Sequence, residues 1–293
     1  MTLTIRLDAS DNVVTATRAL EAGTSVEETA TTALIPSGHK IATTVIPTGK
    51  AIRKYGQIIG YASVDIAPGD HVHVQNCAFA ATDHAYEFGT DLRPVTPATG
   101  DTFMGYRREN GSVGTRNYIA IVTSVNCSAT AARRIADSFG PEELADFPNV
   151  DGVVAFVHGT GCGMAGDGDG FEALQRVMWG YARHPNHAGV LMVGLGCEMN
   201  QIDWLLEAYG LKQGPTFQTM NIQNVAGLRR TIEVGVEKVR AMLPIANAAR
   251  RTPCPASELT VALQCGGSDA WSGITANPAL GYACDLLVAQ GGT

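Results

Sequence analysis

The sequence has no uninterrupted apolar run of about 18 residues, the length a membrane-spanning helix requires. Its start shows no basic stretch leading into an apolar block; residues 1–10 alternate apolar and polar side chains, and no secretory signal is visible. Basic residues are few, 21 against 28 acidic ones, and the doublets Arg107/Arg108, Arg133/Arg134, Arg229/Arg230 and Arg250/Arg251 are scattered. A net charge of -7 with no basic patch excludes nucleic acid as a partner, because nothing supplies the phosphate-neutralising surface. It leaves room for an anionic small molecule held by a few cations focused in one cleft. No CxxC pair occurs among the seven cysteines, at 77, 127, 162, 197, 254, 265 and 284. Their odd number and wide spacing exclude a disulfide scaffold and fit a reducing cytoplasm. Neither GxxxxGK[ST] nor a well-placed GxGxxG is present, so a nucleotide site is not indicated.

What is present is ordinary apolar content, 45%, and 33 glycines, which imply many tight turns. At 293 residues, two folding units are expected. Residues 1–76 carry short alternating runs at 2–7, 40–46, 51–55, 58–62 and 71–74, punctuated by glycines, as in a small all-β unit; 11–22 reads as its one helix. Residues 77–103 lose periodicity, carry Pro94 and Pro97, and read as a linker. From 104 to 293, apolar β-rich runs at 118–125, 152–157, 189–195 and 259–263 alternate with helical patterns at 128–139, 170–183, 200–209, 225–243 and 277–289. That alternation predicts an α/β domain with a mostly parallel sheet covered on both faces.

Ligands of such sheets gather beyond the carboxyl ends of the strands. Each of the four expected strand ends carries a cysteine: Asn126-Cys127, His158-Gly159-Thr160-Gly161-Cys162-Gly163, Gly196-Cys197-Glu198 and Gln264-Cys265-Gly266-Gly267-Ser268-Asp269. One cysteine in such a place is readily a small buried hydrophobe; four at the same topological position point to a site without naming its chemistry. In the β unit, His71 and His73 are two apart, so on an extended strand they share a face and can reach one metal ion. The spacing fits equally a pair of exposed histidines on a polar face.

Asp11-Asn12-Val13, Gly38-His39-Lys40, Arg53-Lys54-Tyr55-Gly56, Ile59-Gly60-Tyr61-Ala62 and Gly69-Asp70-His71-Val72-His73 follow in the order of the SAF-type β-clip module of altronate dehydratases. Gly105-Tyr106-Arg107-Arg108, Gly114-Thr115-Arg116-Asn117, Asn126-Cys127, Gly194-Leu195-Gly196-Cys197-Glu198 and Gln264 to Asp269, followed by Ser272-Gly273-Ile274-Thr275-Ala276-Asn277-Pro278, resemble the main body of the altronate and galactarate dehydratase family. The resemblance spans essentially the whole chain. It implies a hydro-lyase that removes water from a hexonic or hexaric acid to give a 2-keto-3-deoxy acid, with a divalent metal, Fe(II) or Mn(II). It implies metal ligands among Asp11, His39, His71 and His73, and proton transfer by Lys40 or Tyr55, with His158 a further catalytic candidate. Substrate-side groups would come from Arg116, Asn117, Cys127, Cys162, Glu198, Ser268 and Asp269. The His-x-His pair tilts the substrate towards altronate-like acids.

The partner implied is a small-molecule sugar acid, with no membrane and no nucleic acid; self-association into a homo-oligomer is left open. Family members continue beyond the residue that ends this chain, where Gly291-Gly292 closes a helix and Thr293 would begin another strand. The expectation is therefore a chain ending inside its α/β body, with little activity alone. Two other readings remain: a non-catalytic, metal-dependent sugar-acid binding paralogue, and an iron-sulfur or zinc protein built on the strand-end cysteines.

Overall fold

The computed structural model describes residues 2–80, 87–90, 92–266 and 269–293. The chain forms two compact units, one of residues 1–96 with 262–286 and one of residues 97–261 with 287–293. The residue 96/97 division falls inside the expected linker, whereas residues 262–286 cluster with the first unit.

The first unit is built from short strands: β1 (Thr4–Ile5), β2 (Val13–Ala16), β3 (Ser25–Val26), β4 (Thr29–Ala30), β5 (Lys40–Ala42), β6 (Ala51–Lys54), β7 (Gln57–Ala62), β8 (His71–Val72) and β9 (Cys77–Ala78). They form sheets of order β1-β2-β5-β8, β6-β7-β9 and β3-β4, with every pairing antiparallel. A recurring turn produces this pattern. At Ile35-Pro36-Ser37-Gly38, Ile46-Pro47-Thr48-Gly49 and Ile66-Ala67-Pro68-Gly69, a buried isoleucine anchors the chain and a glycine with φ of +78°, +77° or +91° reverses it. The N–H groups of His39, Lys50 and Asp70 close the three turns on the carbonyls of Pro36, Pro47 and Ala67 at 3.0–3.1 Å. This is type II geometry, which requires positive φ at its third residue. Two of the three turns lead into β5 and β8, with His39 just before β5, His71 in β8 and His73 just after it.

No helix forms over 11–22. Val13 packs in one core cluster with Ile46, Ile52, Ile66 and Val72, and Val14 in another with Leu20, Ile35 and Ile41. Adjacent residues facing opposite cores is the period of a strand, and the β-branched run Val13-Val14-Thr15 favours it.

In the second unit, β12 (Tyr118–Thr123), β13 (Gly152–Phe156), β14 (His187–Gly194) and β15 (Phe217–Asn221) make a parallel sheet of order β13-β12-β14-β15. Ile119, Ile121, Leu191 and Val193 face one layer with Ala132 and Ile135 of α1 (Ala129–Asp137) and Val239, Met242 and Leu243 of α4 (Leu228–Ala248). Ala120, Val122, Val190 and Met192 face the other layer, with Met178 of α2 (Asp169–Ala182) and Leu205 of α3 (Ile202–Tyr209). The sheet is apolar on both faces because helices cover both. A smaller antiparallel sheet joins β10 (Thr102–Arg107) to β11 (Val113–Gly114) and β16 (Thr252–Pro255).

Residues 259–263 form no strand; Leu259 and Val261 exchange backbone hydrogen bonds with Thr293, at 3.0 and 2.8 Å, and Val261 and Leu263 are exposed. The fourth parallel strand is β15 instead. A last helix, α5, covers Ala276–Ala289.

Candidate active site

In the first unit the turns before β5 and β8 bring three imidazoles together. The rings of His39 and His71, His39 and His73, and His71 and His73 lie 5.1, 4.9 and 5.7 Å apart between centroids. Nδ1 of His39 and Nε2 of His71 are 2.9 Å apart, one ring N–H donating to the other nitrogen. The segment bearing His71 and His73 is pinned locally: the Asn76 amide accepts from His73 N–H and donates to the His71 carbonyl, each at 3.0 Å. Burial pushes the imidazoles of His39 and His71 below the ordinary histidine value, and the neighbouring histidines and Lys40 push the same way. Neutral imidazole is the form that binds metal.

Lys40 follows His39 and lines a cleft of about 440 Å³ with Ser37, His39, Lys54, His73 and Asp269. Burial, then the charge of Lys54, lowers its ammonium below the ordinary lysine value, with Cys77 opposing. Tyr55 sits with φ of +59° in the β6–β7 hairpin, its hydroxyl donating at 3.5 Å to the Ala270 carbonyl and its ring 4.4 Å from Lys54 Nζ. Asp269 spends its carboxylate on the N–H groups of Trp271 and Ser272, at 2.7 and 2.9 Å, and these bonds lower its pKa. Ser268 lies outside the described residues.

Asp11 is placed differently from its expected role as a metal ligand. It is buried, and its two carboxylate oxygens accept the N–H groups of Gly56 and Asp8 at 2.8 and 3.3 Å, so it organises loops. Among the described residues, no group of three or more His, Cys, Asp and Glu side chains is arranged to hold a metal ion. What the site does offer is the two-nitrogen bite of His39 and His71 with His73 beside it.

In the second unit, Cys127, Cys162 and Cys197 with Glu198 occupy loops that leave the carboxyl ends of β12, β13 and β14. Glu198 is 2% exposed and accepts from the Ser124 hydroxyl at 2.6 Å and from the N–H groups of Leu195 and Gly196 at 3.1 and 2.5 Å. Sequence reasoning did not single out Asn221 at the end of β15, whose buried side-chain oxygen has no partner. His158 has both ring nitrogens committed to backbone: Nε2 lies 2.9 Å from the Thr123 carbonyl, and Nδ1 accepts from Thr160 N–H at 3.3 Å. It braces the loop.

Arg116 and Asn117, expected on the substrate side, precede β12 and stand at its amino end, a strand's length from the cysteines. The Asn117 amide donates to the carbonyls of Asn149 and Ala246, at 2.7 and 2.9 Å, and accepts from Arg108 at 2.9 Å. It ties strand, loop and helix together. A cavity of about 620 Å³ opens at that same end, and the Arg108 guanidinium there is spent on Pro185, Asn117 and Arg116. It lies at the opposite end of the parallel sheet from Cys127, Cys162 and Cys197.

Residues 2–80 match the altronate/galactarate dehydratase SAF domain, 105–247 the second domain of D-galactarate dehydratase/altronate hydrolase, and 256–293 the C-terminal domain of the same proteins. The chain belongs to this family. An altronate dehydratase of Bacillus subtilis is 36% identical over 99% of the chain, and one of Escherichia coli 38% identical over 99%. The galactarate dehydratase (L-threo-forming) of Escherichia coli is 37% identical over 88% of the chain. The chain spans 58% of the length of the two altronate dehydratases and 51% of the galactarate dehydratase. The SAF match agrees with the β-rich first unit, and the expected fold class, a small β-clip domain followed by an α/β domain, is the one observed. Among the described residues no helix is long and apolar enough to cross a membrane.

Proposed function

We propose that the chain contributes to a sugar-acid dehydratase acting on an altronate-like acid, and that its first unit holds the acid's carboxylate end beside a divalent ion. The observation that carries this is the convergence of His39, His71, His73, Lys40 and Lys54 in a protein of net charge -7. His39 and His71, their ring nitrogens 2.9 Å apart, would hold such an ion with His73 once the proton they share is displaced. Imidazole suits iron, and the remaining positions suit oxygens of substrate and water. When bound, Fe(II) or Mn(II) would polarise the substrate carboxylate and so acidify the α-carbon.

The elimination removes a proton from Cα and hydroxide from Cβ; the two leave as water, and the enol left behind tautomerises to the 2-keto-3-deoxy acid. Lys40 is the group we assign to the α-proton, because its depressed pKa raises the share of free amine near neutral pH. Lys54 supplies fixed positive charge to the carboxylate, and Tyr55 lines the same hairpin.

The test measures bound metal and 2-keto-3-deoxy acid formation over aldonic and aldaric acids, under anaerobic Fe(II) or Mn(II) loading. The chain is assayed alone and with the C-terminal region of a family relative supplied. Replacement of His71 and His73 by Ala should abolish metal retention. Lys40→Met should lower turnover by on the order of 10²–10⁴-fold while metal is retained. Unchanged metal stoichiometry in the double variant would remove the histidine site, and saturable binding of sugar acids without any turnover would favour the binding paralogue.

A further inference from the structure

Three of the seven cysteines converge in the second unit. In the order β13-β12-β14, Cys162, Cys127 and Cys197 lie in the loops leaving three adjacent parallel strands at one edge of the sheet. The loops are laced together. Asn126 N–H donates to the Thr160 carbonyl at 2.9 Å, Met199 N–H to Cys162 at 3.3 Å and Asn200 N–H to Gly161 at 3.2 Å, while the Asn200 amide donates to the Ser124 carbonyl at 2.9 Å. Gly161, with φ of +100°, allows the closeness, since a Cβ there would sit 2.4 Å from the Ser124 carbonyl oxygen. The three residues are exposed, unlike the buried Cys254, so they are not core filler. The Cys197 sulfur accepts a hydrogen bond from the Gln223 amide at 3.1 Å.

We propose that Cys127, Cys162 and Cys197 are the three protein ligands of an iron–sulfur cluster, leaving one iron for an oxygen ligand from a small molecule. Three thiols cannot all pair as disulfides, and all are free. Thiolates select copper(I), zinc or iron–sulfur clusters. Among the described residues no set of three such side chains is arranged for a single ion such as zinc. Neighbouring parallel strands, about 4.8 Å apart, carry the three loops side by side, and an iron–sulfur core takes each cysteine at a separate iron, so the three sulfurs need not meet at one ion. A donor aimed at a ligand sulfur, as from Gln223, is among the interactions that tune such clusters.

Proximity costs the bare thiolates. The hydrogen bond and charge of Cys127, then burial, Cys197 and Glu198, raise the Cys162 thiol above its ordinary value. A positively charged core relieves that repulsion. Glu198 stays occupied by Ser124 and two backbone N–H groups, so it braces the Cys197 loop and is not counted as a ligand.

The proposal goes beyond the dehydratase reading and is tested without substrate. The chain is reconstituted anaerobically with Fe(II) and sulfide, desalted, and examined for visible charge-transfer absorption, iron and acid-labile sulfide. About four iron and four sulfide per chain are expected. Single Cys127→Ser, Cys162→Ser and Cys197→Ser variants, checked by circular dichroism, should each lose most of the absorption, and Cys265→Ser should keep it. Background iron and sulfide in the unaltered chain would overturn the proposal. So would a chromophore that survives replacement of all three cysteines, or stoichiometric zinc with no sulfide.

Discussion

At the scale of single residues, His184 and His187 give the second unit a pH-dependent stability separable from any metal. Burial lowers both imidazoles below 6.5, with a backbone hydrogen bond to Tyr181 partly opposing it at His187. The unfolded chain therefore takes up protons near pH 6.5 while the folded chain does not. The stability concerned is intact above 6.5 and lost as pH falls through the lowered folded values. Urea midpoints followed from pH 8 to 5 should fall on the acid side, and a His184→Gln, His187→Gln variant should flatten the profile; parallel profiles would sink the assignment. The site residues were legible to differing degrees. His71 and His73 were visible because a two-residue spacing survives as pattern, whereas His39 and Lys40 came only through the family resemblance of Gly38-His39-Lys40. The structural duties of Asp11, Asn117 and His158 were hidden, because each is defined by backbone partners 30 or more residues away or by a loop's own fold.

At the scale of elements, the turn ending in Gly69 has no room for a side chain. A Cβ there would lie 2.0 Å from the Ala30 carbonyl oxygen, and φ is +91°. Gly69→Ala should destabilise the first unit by more than about 1 kcal/mol, the cost typical of such strain. Denaturant titration checks this, with Gly49→Ala as the milder comparison, because nothing stands within 4 Å of its Cβ. The same turns explain which elements could be read. Strands β12, β13 and β14 announce themselves as continuous apolar runs. Strand β15, Phe-Gln-Thr-Met-Asn, is polar at three of five positions and lies at the sheet edge, where one side of its ladder goes uncovered. The 11–22 segment is hard to read because its apolar residues serve two cores, Val13 in one and Val14 in the other, so no single apolar face marks it as a strand.

For the molecule as a whole, the thiols are the simplest quantity to count. Cys77, Cys127, Cys162, Cys197, Cys254 and Cys284 are not in disulfides, in positions ranging from buried Cys254 to exposed Cys127. Iron-free protein, denatured without reductant, should titrate seven thiols per chain; five or fewer would reveal a bridge that the fold does not show. Charge distribution belongs to this scale too. On the proposed reading, a chain of net charge -7 would bind a sugar acid against its own field, and the local pair Lys40 and Lys54 would set the affinity.

Tyr55 occupies a backbone conformation that ordinary side chains avoid, followed by Gly56 at φ of +71° in the same two-residue turn. An asparagine would suit that position better, so Tyr55→Asn should raise the melting temperature of the first unit. A sequence under selection for robustness alone would drift away from tyrosine here, and a laboratory screen for thermal tolerance should recover that replacement early. If turnover falls as tolerance rises, the hairpin marks a place where durability and catalysis pull in opposite directions.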